Sequence, residues 1–309
     1  MKKIYTLVCL ALLSNFAIAQ TDTAAPAKPW KHSGLYSLGM TQTALSNWAA
    51  GGSNSSNFTA LIKQAATLEK GHNTWFNLLE LNLGYSIQPN QDVKTDDKIE
   101  FTTRFDRQLG ETKWSASAFG NLRTQMLNGF ENPGDADSLR ISTFLSPAYA
   151  TYGLGFTNKS VEGLSVYISP VTVKNTFVND SILAARGAFF DPTAANVADL
   201  ANGKMRWELG AFVDLIYAKQ FNANFEVTSK LSLFSNYLDR PQNIDVTWEG
   251  LLLIKANKWL TASLLLNLIY DHDVAARDSN GDGELDAPGT QFKEVLGIGL
   301  SYTFGEFKD

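Results

Sequence analysis

Apolar and polar residues alternate with a period of two through most of the chain, and the clearest run extends from Lys98 to Leu109. Ile99, Phe101, Thr103, Phe105 and Leu109 fall on one side, while Lys98, Glu100, Thr102, Arg104, Asp106 and Gln108 fall on the other. That is the signature of a sheet with one greasy and one wet face, because successive strand side chains point in opposite directions. A helix would scatter the same charges around its axis.

The pattern recurs in Phe58-Ala60-Ile62, Trp75-Leu79-Leu81-Leu83-Tyr85, Trp114-Ala116-Ala118-Leu122, Trp207-Leu209-Ala211-Val213-Leu215-Tyr217 and Phe225-Val227-Leu231-Leu233-Tyr237. It continues in Ile244-Val246-Trp248-Leu252-Ile254, Leu260-Ala262-Leu264-Leu266-Leu268-Tyr270 and Leu296-Ile298-Leu300-Tyr302-Phe304. Weaker strands at about 34–43, 147–157 and 164–178 bring the count to about twelve. Pro147 and Pro170 make the region from Arg140 to Val178 the least regular, since proline cannot donate to a ladder. Strands of about ten to fourteen residues are longer than those of soluble sheets and fit a tilted membrane strand.

The connections alternate in length, as in outer-membrane barrels. Links near 69–73, 110–112, 158–163, 221–224 and 257–258 are short. Between them lie longer stretches at 44–54, 87–96, 128–141, 180–204 and 273–290, with one short exception at 239–243. Aromatics sort to strand ends: Trp75, Trp114, Phe225, Trp259 and Phe304 at the short-turn end, Tyr85, Trp207, Tyr237 and Tyr270 at the other. Such bands mark the two interfaces of a bilayer. The expected fold is all-β: a transmembrane antiparallel up-and-down barrel of about twelve strands with both termini periplasmic.

Composition adds export. Met1-Lys2-Lys3, the apolar run from Ile4 to Ala19 and the small-x-small triplet Ala17-Ile18-Ala19 form a secretory signal over residues 1–19. Residues 20–33 are then a periplasmic segment, 34–304 the barrel and 305–309 a tail behind the terminal aromatic strand. The only cysteine, Cys9, lies in the signal, so disulfides and Cys metal sites are excluded from the mature chain. Loss of Lys2 and Lys3 leaves 24 basic against 31 acidic residues, a formal charge of −7, which argues against a nucleic-acid partner. After the signal no apolar stretch approaches the roughly 18 residues of a membrane helix.

Several short motifs resemble a domain-of-unknown-function family of predicted outer-membrane proteins of Bacteroidota. They are Asn47-Trp48-Ala49-Ala50-Gly51-Gly52, Ser169-Pro170, Ile244-Asp245-Val246-Thr247-Trp248-Glu249, and Tyr270-Asp271-His272-Asp273 followed by Gln291-Phe292-Lys293. The resemblance spans nearly the whole mature chain. It implies the fold and a place in the outer membrane of a Gram-negative cell, and it carries over no catalytic residue.

With the polar faces turned inward, the candidate bore residues are Lys63, Arg104, Asp106, Arg123, Lys174, Glu208, Asp214, Glu226, Lys230, Asp245, Glu249 and Lys255. Both signs occur on neighbouring strands. A bore of about twelve strands is narrow, so opposed charges either bridge across it or line a channel for small polar solutes.

The last long loop carries Asp278-Ser279-Asn280-Gly281-Asp282-Gly283-Glu284-Leu285-Asp286, the spacing of the first nine positions of a calcium loop. Asp278, Asn280, Asp282, Asp286 and the Glu284 carbonyl are the candidate Ca²⁺ ligands. The twelfth position is Gly289 where a bidentate glutamate belongs, and a solvated turn-rich loop is the competing reading.

An outer-membrane hydrolase would need a Ser–His pair near the outer leaflet. Only His272, between Asp271 and Asp273, has the right height, and no serine is marked as its partner. The expectation is therefore no enzymatic activity and no cofactor other than this candidate calcium. The Trp48–Gly52 segment and the loop around Ala185–Ala201, with Arg186-Gly187-Ala188-Phe189-Phe190 as an exposed apolar and basic element, are candidates to constrict the mouth or meet a partner. Two functional classes remain: a small channel for polar solutes, or an accessory barrel working through protein or lipid contacts.

Overall fold

The computed structural model describes residues 30–45, 54–89, 91–131, 133–134, 138–187, 189–281 and 286–305. The signal, the Asn47–Gly52 motif, Asp282, Glu284 and the tail at 306–309 lie outside these residues. The chain forms a closed antiparallel barrel of twelve strands. They are β1 (Trp30–Thr43), β2 (Ser55–Lys70), β3 (Asn73–Gln88), β4 (Gln91–Gln108), β5 (Trp114–Thr124), β6 (Ala148–Asn158), β7 (Leu164–Val178), β8 (Gly203–Asn222), β9 (Phe225–Asn236), β10 (Ile244–Lys255), β11 (Leu260–Tyr270) and β12 (Gln291–Phe304). Each strand pairs with its sequence neighbours, and β1 pairs with β12 from Gly34↔Phe304 to Gly39↔Gly299 to close the ring.

Two boundaries differ from the sequence reading, for one reason, whereas β12 begins at Gln291, directly after the long stretch read at 273–290. β1 begins at Trp30, within the stretch assigned to a periplasmic segment. β4 begins at Gln91, so the long stretch expected at 87–96 is a tight hairpin between β3 and β4. Where a strand projects beyond the bilayer both faces are polar, alternation disappears, and the strand reads as loop.

The outer surface is apolar along the strands. Leu38, Phe101, Phe105, Leu154, Leu296, Ile298 and Leu300 are all more than 40% exposed, and they occupy the outward parity of β1, β4, β6 and β12. A water-soluble protein does not expose so continuous an apolar belt, whereas a membrane-spanning barrel requires it. Polar atoms that fall on this face are paired: Trp75 Nε1 donates to Thr103 Oγ1 at 2.9 Å, and Thr103 Oγ1 donates to Asn77 Oδ1 at 2.8 Å. Trp75 and Trp259 remain exposed at the short-turn end, Trp207 and Tyr237 at the loop end.

Pro170 lies inside β7 yet does not break the barrel. The register shifts on both of its flanks, Gly155 facing the extra residues between Ile168 and Val171 on one side and Ala211 on the other. A bulge removes the demand for a proline N–H. Ser169, fully buried, donates to the freed Leu154 carbonyl at 2.8 Å. Gly155 permits the close approach, since a Cβ there would lie 2.1 Å from the Ile168 carbonyl oxygen. Gly155→Ala is expected to destabilise the barrel by about 1–3 kcal/mol through this overpacking, measured by urea unfolding in lipid vesicles; unchanged stability would show that the bulge has slack.

Among the described residues, the loop end also carries a small helix, α1 (Ser181–Arg186). Asp180 caps it by accepting from the amides of Ile182 and Leu183, and Gly187 ends it at φ 66°. A short strand at Val197–Leu200 folds back on β8, pairing Val197↔Arg206 through Leu200↔Gly203.

Candidate functional site

All twelve sequence-assigned bore residues lie on the inward parity of their strands, and Lys174, Lys230 and Glu249 among them meet partners on strands that are not their neighbours. In the middle of the barrel, Lys98 on β4 contacts Glu249 on β10 at 3.1 Å and Glu100 at 3.1 Å. β4 and β10 are diametrically opposed in a ring of twelve, so these side chains meet across the axis. Lys230 on β9 reaches Glu100 at 2.9 Å, Lys63 reaches Glu80 at 2.5 Å, and Arg123 stands 3.7 Å from Glu249. Glu80, Lys98 and Glu100 are 2%, 7% and 4% exposed, which makes this a buried ion-pair lattice. Glu80, Glu100 and Glu249 offer oxygens close enough to share a metal ion, but Lys63, Lys98 and Lys230 already supply the positive charge there.

Toward the turn end the bore is filled with apolar side chains. Leu35, Leu251 and Leu253 form a buried cluster with Leu61 and Leu265 packed against it. Beside them, Arg104 and Asp106 pair at 3.1 Å, and Asp106 accepts from Ser117 Oγ at 2.7 Å. Lys255 and Glu226 pair at 3.2 Å. On the other wall Phe119, Tyr167, Phe212 and Phe234 form an aromatic cluster inside the barrel, with Phe119 and Tyr167 stacked at 5.1 Å. Phe119 pairs across the ladder with Gly153 on β6.

Above the lattice, toward the loop end, lies a cavity of about 370 Å³. Glu100, Glu249 and Lys230 line its lower part, and Tyr149, Lys174, Phe189, Asp245 and Asp271 its upper part. Lys174 gathers Asp245 at 2.6 Å, Asp271 at 3.5 Å and Glu208 at 3.8 Å. Arg206 pairs with Glu208 at 3.1 Å and with Asp273 at 2.8 Å, and its guanidinium lies over the Phe190 ring. These contacts tie the start of the last long loop to the wall. Arg140 bonds Asp180 and so ties the loop after β5 to the cap of α1.

The segment expected to expose Phe189 and Phe190 is turned inward instead. Phe190 is 4% exposed and packs with Val178, Leu183 and Ala184, while Phe189 borders the cavity. Burial of those rings outweighs their solvation in an open loop. His272 Nδ1 lies 3.1 Å from the Tyr270 hydroxyl, and its flanking carboxylates are engaged by Lys174 and Arg206.

In the candidate calcium loop, Asp278 accepts from the amides of Asn280 at 3.2 Å and Gly281 at 2.6 Å, as in an Asx turn. Asp286 accepts from both the hydroxyl and the amide of Ser279, and these bonds hold its carboxyl below the usual range. The loop is thus held by its own backbone through Asp278 and Asp286, two of the proposed ligands.

The bore residues not singled out from sequence are Glu80, Lys98, Glu100, Arg206 and the inward aromatics. Glu80, Lys98 and Glu100 were legible by parity, opposite to Leu79, Leu81, Ile99 and Phe101. Phe119, Phe212 and Phe234 fall on the inward parity too, opposite Ala118, Ala211 and Leu233, but an apolar side chain on the wet face carries no sign of what it packs against.

The fold and its filled, charged interior define an outer-membrane β-barrel. Residues 40–130 match the model of a family described as "Protein of unknown function (DUF3078)". No curated protein matches the chain. Among solved structures, the translocator domain of autotransporter NalP from Neisseria meningitidis is similar at 9% identity and TM-score 0.35, covering 98% of this chain and 96% of that one. The COG4313 outer membrane channel from Pseudomonas putida F1 is similar at 10% identity and TM-score 0.39, covering 92% and 100%. A TodX monoaromatic hydrocarbon channel mutant is similar at 13% identity and TM-score 0.34, covering 91% and 82%.

Proposed function

We propose that this chain is a barrel of a Gram-negative outer membrane whose bore is shut at mid-height, and that it works as an accessory or binding barrel, neither an open porin nor an enzyme. The supporting observation is the pair of contacts across the axis, Lys98–Glu249 and Lys230–Glu100, with an apolar cluster beneath them. Buried ions held by several partners at close range do not part readily, because each would be left desolvated and unpaired. Calcium binding by the last loop is no part of this role.

Purified, folded protein in a planar bilayer is expected to give no steady current. A Lys98→Ala/Lys230→Ala/Glu249→Ala variant that also carries Leu251→Ala and Leu253→Ala in the apolar cluster, checked for folding by its gel shift on heating, is expected to give discrete small steps. Steady conductance from the wild type would overturn the closure.

A second reading, a gated channel, is favoured by the cavity above the lattice, whose lining includes the lattice residues Glu100, Lys230 and Glu249. Its mark would be wild-type steps that vanish when residues 180–204 are deleted.

A further inference from the structure

Around the loop-side cavity two charged groups are less fully engaged than the rest. Asp245 and Asp271 are engaged by Lys174. Asp97 is engaged by Lys94 and by the amides of Met126 and Leu127. Glu100 is held by Lys230, Lys98 and Asn121, and Glu249 by Lys98.

Arg123 is different. Its side chain is 30% exposed in the cavity, its nearest carboxylate is 3.7 Å away, and among the described residues it makes no hydrogen bond. A guanidinium has five donors in a fixed fork, suited to a carboxylate that approaches edge-on.

Asp214 is the second. It is 2% exposed, borders the same cavity, and accepts one bond, from Ser232 Oγ at 2.5 Å. Among the described residues no Lys or Arg nitrogen lies within 4.0 Å of it. The cations that act on it, Lys230 and Arg104, are in contact with Glu100 and Asp106 instead, and a bound ammonium supplies the direct partner that a buried carboxylate needs. Phe119, Phe212 and Phe234 border the same space as an apolar wall.

We propose that this cavity is a binding site for a small zwitterion with an apolar side chain, an amino acid or dipeptide, its carboxylate on Arg123, its ammonium on Asp214 and its side chain against the Phe119–Phe212–Phe234 wall. The cavity volume is at the lower end of small-molecule sites, of the order such a ligand needs. The inference rests on the closed-barrel reading, in which the lattice forms the floor of the site.

The test is calorimetry on the full-length folded protein in detergent, with L-phenylalanine and L-leucyl-L-phenylalanine as zwitterions. The controls are 3-phenylpropionate, which lacks the ammonium, 2-phenylethylamine, which lacks the carboxylate, and glycylglycine, which lacks the apolar group.

At least one of the two zwitterions is expected to bind, and each control to bind roughly tenfold more weakly or worse, as loss of a charged hydrogen bond or of apolar burial implies. Arg123→Gln is expected to remove the advantage over 2-phenylethylamine alone. Asp214→Asn is expected to remove the advantage over 3-phenylpropionate alone. Absence of heat from both zwitterions on folded wild type, or affinities that neither substitution alters, overturns the site. The controls run on wild-type protein, so a variant that fails to fold does not decide the question. Bilayer current reads the closure and calorimetry the site, so failure of one is distinguishable from failure of the other.

Discussion

Lys98→Met is expected to cost the barrel about 3–5 kcal/mol, the range for removing one partner from a buried ion pair. Lys98 is 7% exposed and stands between Glu100 and Glu249, each at 3.1 Å, with Glu80 at 3.8 Å. Without it Glu80 keeps Lys63 and Glu100 keeps Lys230, but Glu249 keeps only the distant Arg123. The loss therefore falls on the contact between opposite walls. The double variant Lys98→Met/Glu249→Leu is expected to recover most of the stability, because an apolar pair of similar volume substitutes for a buried ion pair at little net cost. Reversible urea unfolding in vesicles reads both. A single variant as stable as wild type would show that the lattice is hydrated and contributes nothing to folding.

The second large effect lies on the opposite surface. Leu296→Arg is expected to destabilise by about 2–4 kcal/mol, the depth-dependent cost of a cation at the middle of a lipid-facing strand. Leu296 is 64% exposed on β12, opposite Leu264 of β11, and points away from the bore. The same measurement checks it. A cost near zero would place this residue at the interface and shift the whole bilayer position.

These two substitutions also mark how far the sequence could be read. Facing was legible wherever one side of a strand was polar: Lys98, Glu100, Arg104 and Asp106 against Phe101 and Phe105 fix β4 without any structure. So was the number of strands, because each crossing needs its own apolar face. Partner choice across the bore was not legible. Lys98 and Glu249 are 151 residues apart, and which residues share a height depends on the tilt and stagger of the closed ring, which no local pattern encodes. The cavity was hidden for a related reason. Its wall uses Phe212 between Ala211 and Val213, a stretch apolar on both faces, and its charged groups stand out only after all the other pairs have been assigned. The inward turn of α1 and Phe190 depends on the same tertiary packing, although Asp180 and Gly187 are recognisable caps.

The pairing of β1 with β12 governs how the chain must fold. Neighbouring hairpins form from local segments, but the seam joins residues near the two ends of the chain, as in Gly34↔Phe304. Its closure carries the largest loop entropy in the molecule and comes late, as in other topologies of high contact order. Until then β1 and β12 are open edges with unpaired backbone groups, which lipid cannot satisfy and which other strands can. A chain lacking β12 would therefore be a sheet prone to aggregate and not a smaller barrel, and β12 must be made before insertion can finish.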